Sequence, residues 1–435
     1  MNREHRRVVL ASMVGTTVEW YDFFIYAVCS GLVFATQFFG QLGKDALLLS
    51  FATIGISFFF RPVGAIIAGH LGDRIGRRPM LVLTLLLMGI ATALMGLLPT
   101  TATIGVAAPV LLVVLRILQG LSAGGEWGGA ALLSVEHAPT ERRGLYGAFP
   151  QIGVPIGLLL ANGILAITAA ATTPDQFLAW GWRIPFLFSI VLIVVGLFVR
   201  TRVAESPVFH EIRRSNARVA VPLVPLLKNH LPLVVIGALM FAANNAAGYM
   251  TTGGYVQSYA VKALKIGSSA ILTAVMLSAL GWLATALLAG WLSDRYGRKR
   301  VYQIGFVAQL VWMFPFFALL NTGNLGLIVV ALLLFTVGLG FTYGPQPALY
   351  AEMFPTAVRY SGASLAYAVG AILGGAFAPT IAQALQSRTG TVYSVADYLA
   401  AVTVIGLAAT FFVRVRPGQP LSPASETLDK ELKSS

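Results

Sequence analysis

Long apolar segments separated by short polar stretches follow one another along almost the whole chain of 435 residues. A bilayer core of about 30 Å requires about 20 mostly apolar residues in a helix. Measured in this way, the pattern predicts twelve membrane-spanning helices. They lie at about residues 8–36, 46–71, 80–98, 104–136, 142–171, 182–200, 231–262, 267–293, 300–320, 324–352, 358–386 and 392–413.

The longest polar stretch, at residues 201–230, divides these helices into two sets of six. We therefore expect a six-helix bundle at residues 1–200, a cytoplasmic linker at 201–230 and a second six-helix bundle at 231–413. The residues that remain, 414–435, are rich in Pro, Ser, Lys and Glu, which is typical of a disordered cytoplasmic tail. The predicted fold class is an all-α membrane protein with two pseudo-symmetric six-helix bundles.

Composition excludes a soluble protein. Hydrophobic residues make up 57% of the chain and charged residues only 11%, whereas a soluble domain carries about 25% charged residues. The chain shows no recognisable catalytic constellation, so we do not expect an enzyme. Cys29 is the single cysteine, and the five histidines fall in predicted loops or at helix ends, so we expect no disulfide, no metal site and no cofactor apart from coupling protons.

The distribution of basic residues predicts the orientation, because cytoplasmic loops collect Lys and Arg. With a cytoplasmic N-terminus, 23 of the 30 basic residues fall in cytoplasmic segments and five fall in segments on the opposite side of the membrane. The other two, Arg61 and Arg116, lie within predicted spans. Both termini are therefore predicted to be cytoplasmic. The net charge of +13 follows from this asymmetry and gives no indication of nucleic-acid binding.

Two motifs occur twice in the chain. GHLGDRIGRR at 69–78 recurs as GWLSDRYGRK at 290–299, a shift of 221 residues, and SVEHAPTERRG at 134–144 recurs as YAEMFPTAVRYSG at 350–362, in which the matching Glu, Pro and Arg are shifted by 216 residues. Two independent motifs at nearly the same shift indicate a duplicated six-helix unit. Parallel repeats of this kind build transporters whose two halves rock around a central site.

The repeated loop motif resembles the signature of the major facilitator superfamily. Further segments resemble its metabolite:proton symporter branch, which includes bacterial shikimate, α-ketoglutarate, citrate and proline/betaine carriers. The resemblance extends from about residue 14 to 413, and the run GGEWGGAALLSVE (124–136) looks closest to the shikimate-type carriers. It implies the major facilitator fold, a place in the bacterial cytoplasmic membrane, and a link between the arginine matched by Arg116 and the proton step. The segments are VEWYDFFIY (18–26), FRPVG (60–64), RILQGLSAGGEWGG (116–129), WGWRIPF (180–186) and EMFPTAVR (352–359).

Five ionisable residues lie deep within predicted membrane helices, where such groups are costly and usually functional. All five lie in the first half of the chain: Glu19, Asp22, Arg61, Arg116 and Glu126. A carboxylate paired with Arg116 stays ionised, whereas a separated and desolvated carboxylate favours its protonated form. We expect Asp22 to be the proton carrier, with Glu19 as the second choice. Glu126 has either a coupling or a structural role, and a static packing network of these acids with Arg116 is the alternative.

The expected substrate contacts combine the two deep arginines with neutral polar residues from both halves. Guanidinium groups bind carboxylates in a bidentate manner, so the arginines favour an anion, although the nearby acids also admit a zwitterion. Arg61, which precedes Pro62, is alternatively a helix-bending element. Asn244, Asn245 and Tyr249 are alternatively contacts between helices, and Trp20 is expected to pack. The candidates are Arg61, Arg116, Tyr26, Gln151, Asn162, Asn244, Asn245, Tyr249, Tyr343 and Gln346.

The repeated loop motifs are expected to form a cytoplasmic gate rather than a substrate site. Asp73 can lie at a helix N-terminus, where a carboxylate is favoured. Several charge pairs together can hold one conformation closed, although each alone is weak. The expected gate residues are Asp73, Arg74, Arg77, Glu136, Arg143, Asp294, Arg298, Glu352 and Arg359.

The sequence therefore predicts a monomeric, proton-coupled importer of a small carboxylate or zwitterion, embedded in the lipid bilayer. A proton-driven antiporter that exports drugs or metabolites is the alternative, and it predicts a wider apolar cavity with no need for Arg61. A regulatory membrane protein that has lost transport is a third reading, which the intact intramembrane acids disfavour. A phosphate-binding GxxxxGK[ST] loop, which an ATP-driven pump requires, does not occur.

Overall fold

The computed structural model describes residues 3–75, 77–124, 127, 131–132, 134–135, 138–201, 223–252, 254–355 and 358–415. No β-strand occurs in this part of the chain. In the first half (residues 3–201) the main helices are α1 (Arg3–Cys29), α2 (Ala46–Ile75), α3 (Arg77–Leu97), α4 (Ala107–Ala123), α5 (Arg143–Gln151), α6 (Gly153–Ala171) and α7 (Arg183–Thr201).

The main helices of the second half (residues 223–415) continue the numbering. They are α8 (Leu223–Thr252), α9 (Tyr255–Lys262), α10 (Ser268–Tyr296), α11 (Arg298–Leu320), α12 (Leu325–Tyr343), α13 (Gln346–Met353), α14 (Arg359–Ala371), α15 (Ala378–Thr389) and α16 (Tyr393–Phe411). Short helical turns lie at Ser30–Phe34, Ala35–Gln37, Gly40–Asp45, Thr101–Ile104, Thr140–Arg142, Pro174–Gln176, Phe177–Gly181 and Ile372–Ala376.

Each predicted span contains a helix among the described residues. Nine helical segments in that part of the chain are long and apolar enough to cross a bilayer, and a tenth consists of Pro174–Gly181 and Arg183–Val199, bent by 45°. Two shorter apolar helices, Val82–Leu97 and Ala107–Ala123, lie at the remaining predicted positions. The all-helical class is confirmed, while the count of twelve crossings, the division into bundles and the orientation stay predictions.

Breaks in the long helices have local causes. Pro232 has no N–H to donate and its ring disfavours a helical residue before it, and the chain kinks just upstream at His230, where φ is −131°. Gly254 has φ of +86°, a conformation that favours glycine, and it separates α8 from α9. The π-helical turn at Ile372–Ala376 separates α14 from α15. Such turns commonly occur near functional sites.

The two halves meet along two seams. In the first half α1 packs on α6 and α7, α2 packs on α4, and α3 packs on α7; in the second half α12 packs on α10 and α11, and α8 packs on α14 and α16. Between the halves, α6 packs on α10, and α2 packs on the turn Ile372–Ala376 and on α15. The helices between these seams enclose the candidate site.

Candidate functional site

A small cavity lies between the two halves. Its volume is 20 Å³, which is room for about one water molecule. Because both halves supply its walls, a metabolite can enter only when the halves separate. The lining residues are Trp20, Phe24 and Val154 from the first half, and Asn244, Asn245, Gly248, Tyr249, Trp282, Leu339 and Tyr343 from the second.

The two acids of α1 point toward different neighbours. Glu19 Oε1 lies 3.8 Å from Nη2 of Arg61 on α2, whereas Asp22 Oδ1 accepts a hydrogen bond of 2.6 Å from the hydroxyl of Ser189 on α7. Residues three positions apart differ by about 60° around a helix axis. That angle is enough to direct Glu19 toward α2 and Asp22 into the interior of the first half.

Arg61 lies in an aromatic environment. Its guanidinium carbon is 5.8 Å from the ring centroid of Trp20, 5.5 Å from that of Phe23 and 4.7 Å from that of Phe58. Cation–π contacts of this kind are stronger when they are desolvated. Arg61 is therefore held by a carboxylate and by aromatic faces, which is more than the helix-bending alternative requires.

Arg116 is fully buried and is held by neutral groups. Its Nη1 donates to Oε1 of Gln119 at 2.6 Å, and Gln119 Nε2 donates to the hydroxyl of Thr92 at 2.6 Å. The guanidinium carbon lies 4.0 Å from the ring centroid of Tyr26 and 4.5 Å from that of Phe23. Among the described residues, Nε and Nη2 of Arg116 have no hydrogen-bond partner.

The expected pairing of a carboxylate with Arg116 is not formed among the described residues. Asp22 faces Ser189, and its Oδ2 has no hydrogen-bond partner in that part of the chain. The hydroxyl of Thr92 lies beside the Asp22 carboxylate. Thr92 and Gln119 therefore connect Arg116 to the surroundings of Asp22, in place of a direct ion pair.

Tyr26, an expected substrate contact, has its polar atom occupied. Its hydroxyl is 2.6 Å from that of Thr53 on α2, and its ring packs against Phe34 with centroids 5.1 Å apart. The side that remains is the ring face beneath Arg116. In this conformation Tyr26 positions the arginine and offers no free hydroxyl.

The second half contributes several buried polar side chains near the cavity, and one of them, Asn244, already accepts a hydrogen bond. Asn244 Oδ1 accepts a hydrogen bond of 2.5 Å from the hydroxyl of Thr342 on α12, as expected for an interhelical contact. Asn245 Nδ2 and Tyr249 Oη also border the cavity, but they have no hydrogen-bond partner among the described residues. Both polar side-chain atoms of the buried Gln346 are likewise without a described partner. The atoms of Asn245 and Tyr249 are available to a ligand in the cavity, whereas Gln346 does not line it.

Aromatic and amide contacts cross between the halves close to the cavity. Trp127 stacks on Tyr367 with ring centroids 3.9 Å apart and planes 8° apart, and Tyr367 stacks in turn on Phe241 at 4.2 Å. The indole of Trp127 donates to Oε1 of Gln151 at 3.0 Å, and Gln151 Nε2 donates to the carbonyl of Tyr343 at 3.2 Å. Gln151 therefore joins the two halves.

Two predicted site residues do not contribute to this cluster. Asn162 is fully buried, but its Nδ2 donates to the carbonyl of Leu158 on its own helix at 3.0 Å, and it does not line the cavity. Its Oδ1 has no described hydrogen-bond partner, and its contact with substrate stays a prediction. Glu126 lies outside the described residues.

At one end of the cavity, the predicted cytoplasmic end, Asp294 joins the halves. Its Oδ1 accepts from the backbone N–H of Gly144 at 2.8 Å, and its Oδ2 accepts from that of Leu145 at 2.9 Å. These donors belong to the first turn of α5, whose N–H groups have no partner within the helix. The carboxylate is also favoured by the positive end of the helix dipole. The helix-terminal position expected for Asp73 is thus observed at its repeat, Asp294.

An ion-pair network surrounds this contact. Nη2 of Arg298 lies 3.0 Å from Oδ1 of Asp294, and its Nε lies 3.5 Å from Oε1 of Glu352. The same Oε1 lies 4.0 Å from Nη1 of Arg143 in the first half. Arg359 Nε donates to the carbonyl of Ala351 at 2.8 Å. The described network therefore contains the expected second-half contacts among Asp294, Arg298 and Glu352, and Arg143 connects them to the first half. The side chains of the other gate candidates lie outside the described part: Asp73, Arg74, Arg77 and Glu136.

At the opposite end, glycines allow the helix backbones to meet. A Cβ on Gly31 would lie 2.9 Å from the carbonyl oxygen of Gly254, and one on Gly55 would lie 2.6 Å from that of Ala376. A Cβ on Gly254 would lie 2.3 Å from the carbonyl oxygen of Ala27. All three contacts join the first half to the second. The described helices therefore close the cavity at both ends.

Three residues of this site were not predicted from the sequence. Trp20 lines the cavity instead of only packing, Trp127 provides the stack between the halves, and Gln119 orients Arg116. Gln119 follows Arg116 at i, i+3, a spacing that brings side chains together on a helix. That signal was available within RILQG. The two tryptophans carried no comparable signal.

Comparisons with known proteins agree with this architecture. The family model for the Major Facilitator Superfamily matches residues 13–379. The inner membrane metabolite transport protein YhjE of Escherichia coli (strain K12) is 43% identical over 411 residues, which is 93% of this chain and 92% of that protein. The shikimate transporter of the same organism is 40% identical over 406 residues, which is 92% of each chain.

A solved structure shows the same fold. The crystal structure of a D-xylose-proton symporter matches with a TM-score of 0.74 at 20% sequence identity, covering 94% of this chain and 97% of the other. At this identity the likeness concerns the fold alone. The sequence relatives are membrane transporters and not enzymes.

Proposed function

The chain belongs to the Major Facilitator Superfamily, and on that basis we propose that it is a proton-coupled symporter that imports a small organic acid by alternating access. The proposed substrates are shikimate and related carboxylates, and the proposed location is the bacterial cytoplasmic (inner) membrane. The observation that carries the proposal is the buried Arg116, which has two guanidinium nitrogens without a described partner.

The charges of the site favour an anion. Arg61 is matched by Glu19, but Arg116 receives only a neutral amide oxygen from Gln119. Removing a cation from water without a compensating charge is costly. A substrate carboxylate supplies that charge and two acceptor oxygens, which a guanidinium binds in a fork-like geometry.

Charge balance gives a mechanism for coupling. Among the described residues, Arg61 and Arg116 are balanced by Glu19 and Asp22 when both carboxyl groups are ionised. A monocarboxylate alone adds one negative charge, and a proton on Asp22 alone leaves one positive charge in excess. Only the empty site and the site loaded with both species are therefore neutral. Because a net charge in a dry interior costs several kcal/mol, only these two forms change conformation easily, and so the proton and the acid cross together.

The same balance discriminates against zwitterions. A betaine-like molecule brings no net charge, so a site that holds it together with a proton on Asp22 keeps one positive charge in excess. The carboxylate is thus the better match to the described charges.

Asp22 is the proposed proton carrier because of its surroundings. Its Oδ2 has no described hydrogen-bond partner and is free to take a proton. The hydroxyl of Thr92 lies beside the carboxylate and accepts from Gln119, which in turn accepts from Arg116. The Thr92 hydroxyl itself donates to the carbonyl of Met88 at 3.0 Å. A protonated Asp22 can donate to the Thr92 oxygen, and we propose that Gln119 passes this change to the guanidinium.

The substrate class is supported by the relatives. One relative that is 40% identical is a shikimate transporter, and one that is 43% identical is named a metabolite transport protein. Shikimate carries one carboxylate, which suits Arg116, and hydroxyl groups, which suit the free polar atoms of Asn245 and Tyr249 at the cavity.

Uptake into proteoliposomes tests the proposal. Labelled shikimate is offered under an inward acid gradient, alongside α-ketoglutarate, citrate, protocatechuate, proline and betaine. We expect accumulation of shikimate or another monocarboxylate that follows the pH gradient and does not respond to a potassium-diffusion potential, because one proton and one anion carry no net charge. Accumulation that follows the potential but not the pH gradient contradicts the coupling scheme.

The antiporter is the second candidate. It requires efflux driven by an inward proton gradient and a wide apolar cavity. The described cavity has asparagine and tyrosine side chains in its lining, and Arg61, which lies against the lining residue Trp20, is paired with Glu19. Efflux of a preloaded apolar drug on acidification of the outside would favour the antiporter.

A further inference from the structure

A groove on the outer surface of the second half has no part in the proposed transport cycle. It lies between α11 and α16 and has a volume of 470 Å³, within the range of about 300–1,000 Å³ that is typical of small-molecule sites. The lining residues are Arg300, Gln303, Ile304, Val307, Leu407 and Phe411.

Two polar clamps build one end of this groove. Nζ of Lys299 donates to the backbone carbonyls of Phe411 at 3.1 Å and Val413 at 3.0 Å, at the C-terminal end of α16. Gln303 Nε2 donates to the hydroxyl of Thr410 at 2.9 Å. The clamps tie the start of α11 to the end of α16, so the groove has a fixed shape where it meets the edge of the membrane helices.

Beyond the clamps the walls are apolar and accessible. Ile304 is 54% exposed, Val307 is 48% exposed and Phe411 is 67% exposed. From Arg300 to Val307 the helix rises about 10 Å. The groove thus runs along the helix from a charged end into the apolar part of the surface, which is the shape of a site for a hydrocarbon chain.

The charge at the end of the groove is positive. Arg300 is exposed and takes part in no ion pair among the described residues, and Arg414, also exposed, directly follows Val413. The free carbonyls at a helix C-terminus would ordinarily repel an anion. Here Lys299 occupies the carbonyl of Phe411, together with that of Val413 just beyond the helix, and brings its own positive charge.

We propose that this groove binds one anionic phospholipid. The Arg300 guanidinium binds the phosphate of the headgroup, with Arg414 contributing charge, and one acyl chain lies along Ile304, Val307 and Leu407. Basic pockets between membrane helices at a cytoplasmic surface are suited to anionic headgroups. An apolar face without the arginines would accept any lipid, so the arginines make the site selective.

Native mass spectrometry of the purified full chain tests this proposal, with phosphatidylglycerol and phosphatidylcholine added in equal amounts. We expect wild type to retain one phosphatidylglycerol in about tenfold preference, because charge-assisted hydrogen bonds to phosphate are strong. Arg300→Gln is expected to abolish the preference, and Leu407→Trp is expected to fill the groove and prevent retention. The matched controls are Arg388→Gln, an exposed arginine at another helix end, and Val194→Trp, an exposed apolar position on α7. Both controls are expected to behave as wild type.

Three results would overturn the proposal. Wild type that shows no preference for the anionic lipid has no such site. A preference that survives both Arg300→Gln and Leu407→Trp comes from a different surface. If Leu407→Trp instead converts a dimer to a monomer while lipid retention is unchanged, the groove is an interface between two copies of this chain. Melting temperatures of all variants identify any variant that fails to fold, and for such a variant Leu407→Phe replaces Leu407→Trp.

Discussion

Oε1 of Glu19 lies 3.8 Å from Nη2 of Arg61, and each side chain is only 5% exposed. This ion pair joins α1 to α2 beside the cavity between the halves. A buried pair contributes little net stability, but removal of one partner leaves an unmatched charge. With Arg61 matched in this way, Arg116 is the deep arginine that has no carboxylate among the described residues.

The first prediction concerns this pair. Glu19→Gln leaves Arg61 buried with an uncompensated charge, and we expect the free energy of unfolding to fall by about 3–5 kcal/mol. Thermal unfolding of the purified protein measures the effect. The double variant Glu19→Gln/Arg61→Gln removes both charges and is expected to recover part of the loss. A double variant that is no more stable than the single one would contradict the pairing.

The second prediction concerns substrate binding. Arg116→Lys keeps the positive charge but loses the planar fork that binds a carboxylate at two points. We expect the dissociation constant for the transported acid to rise by about 10–100-fold, as for the loss of one hydrogen bond to a charged group. Arg388→Lys, at an exposed helix end, serves as the matched control. Unchanged affinity in Arg116→Lys would remove this arginine from the substrate site.

The extent to which the sequence determines the fold is visible in individual helices. The boundaries of α10, α11 and α16 lie within a few residues of the predicted spans, because membrane helices follow apolar length directly. The break at Gly254 was not predicted. It depends on the neighbouring helix that this backbone meets.

The sequence predicted which charged residues are buried but not how they pair. Depth along a helix singled out Glu19, Asp22 and both arginines, which are buried in the structure, while their roles stay predictions. Spacing could not show that Asp22 faces Ser189, a residue 167 positions away. The gate was likewise expected in each half, whereas Asp294 of the second half caps a helix of the first. Contacts between distant segments depend on tertiary packing, which the local pattern does not encode.

The third prediction concerns the gate. Asp294→Ala removes the acceptors for the N–H groups of Gly144 and Leu145, and we expect the halves to separate at that end. Spin labels on Glu141→Cys and Tyr296→Cys, in a Cys29→Ser background, measure the separation by pulsed electron paramagnetic resonance.

The control for the gate experiment is Asp175→Ala, which removes an exposed carboxylate from a short helical turn. We expect its distance distribution to match that of the parent protein, while Asp294→Ala shifts toward longer distances. An unchanged distribution in Asp294→Ala would mean that the cap does not hold the gate closed.

The fourth prediction concerns the opposite end of the cavity. Gly254→Ala places a methyl group 2.3 Å from the carbonyl oxygen of Ala27, on a backbone with φ of +86°. We expect this variant to lose transport because the halves cannot close there. Gly267→Ala is the matched control, since its φ is −60° and a Cβ would meet nothing within 4 Å. Equal uptake by the two variants would contradict the role of Gly254 in closure.

The central claim is that a proton on Asp22 accompanies the substrate, and comparison of Asp22→Asn with wild type in proteoliposomes tests it most directly. Accumulation of the labelled acid under an inward acid gradient is measured beside exchange of labelled for unlabelled acid without a gradient. Asn imitates the protonated carboxyl group, so the loaded site of the variant is always neutral. The account predicts that Asp22→Asn retains exchange but loses all accumulation, whereas wild type shows both. Accumulation by Asp22→Asn at the level of wild type would show that another group carries the proton.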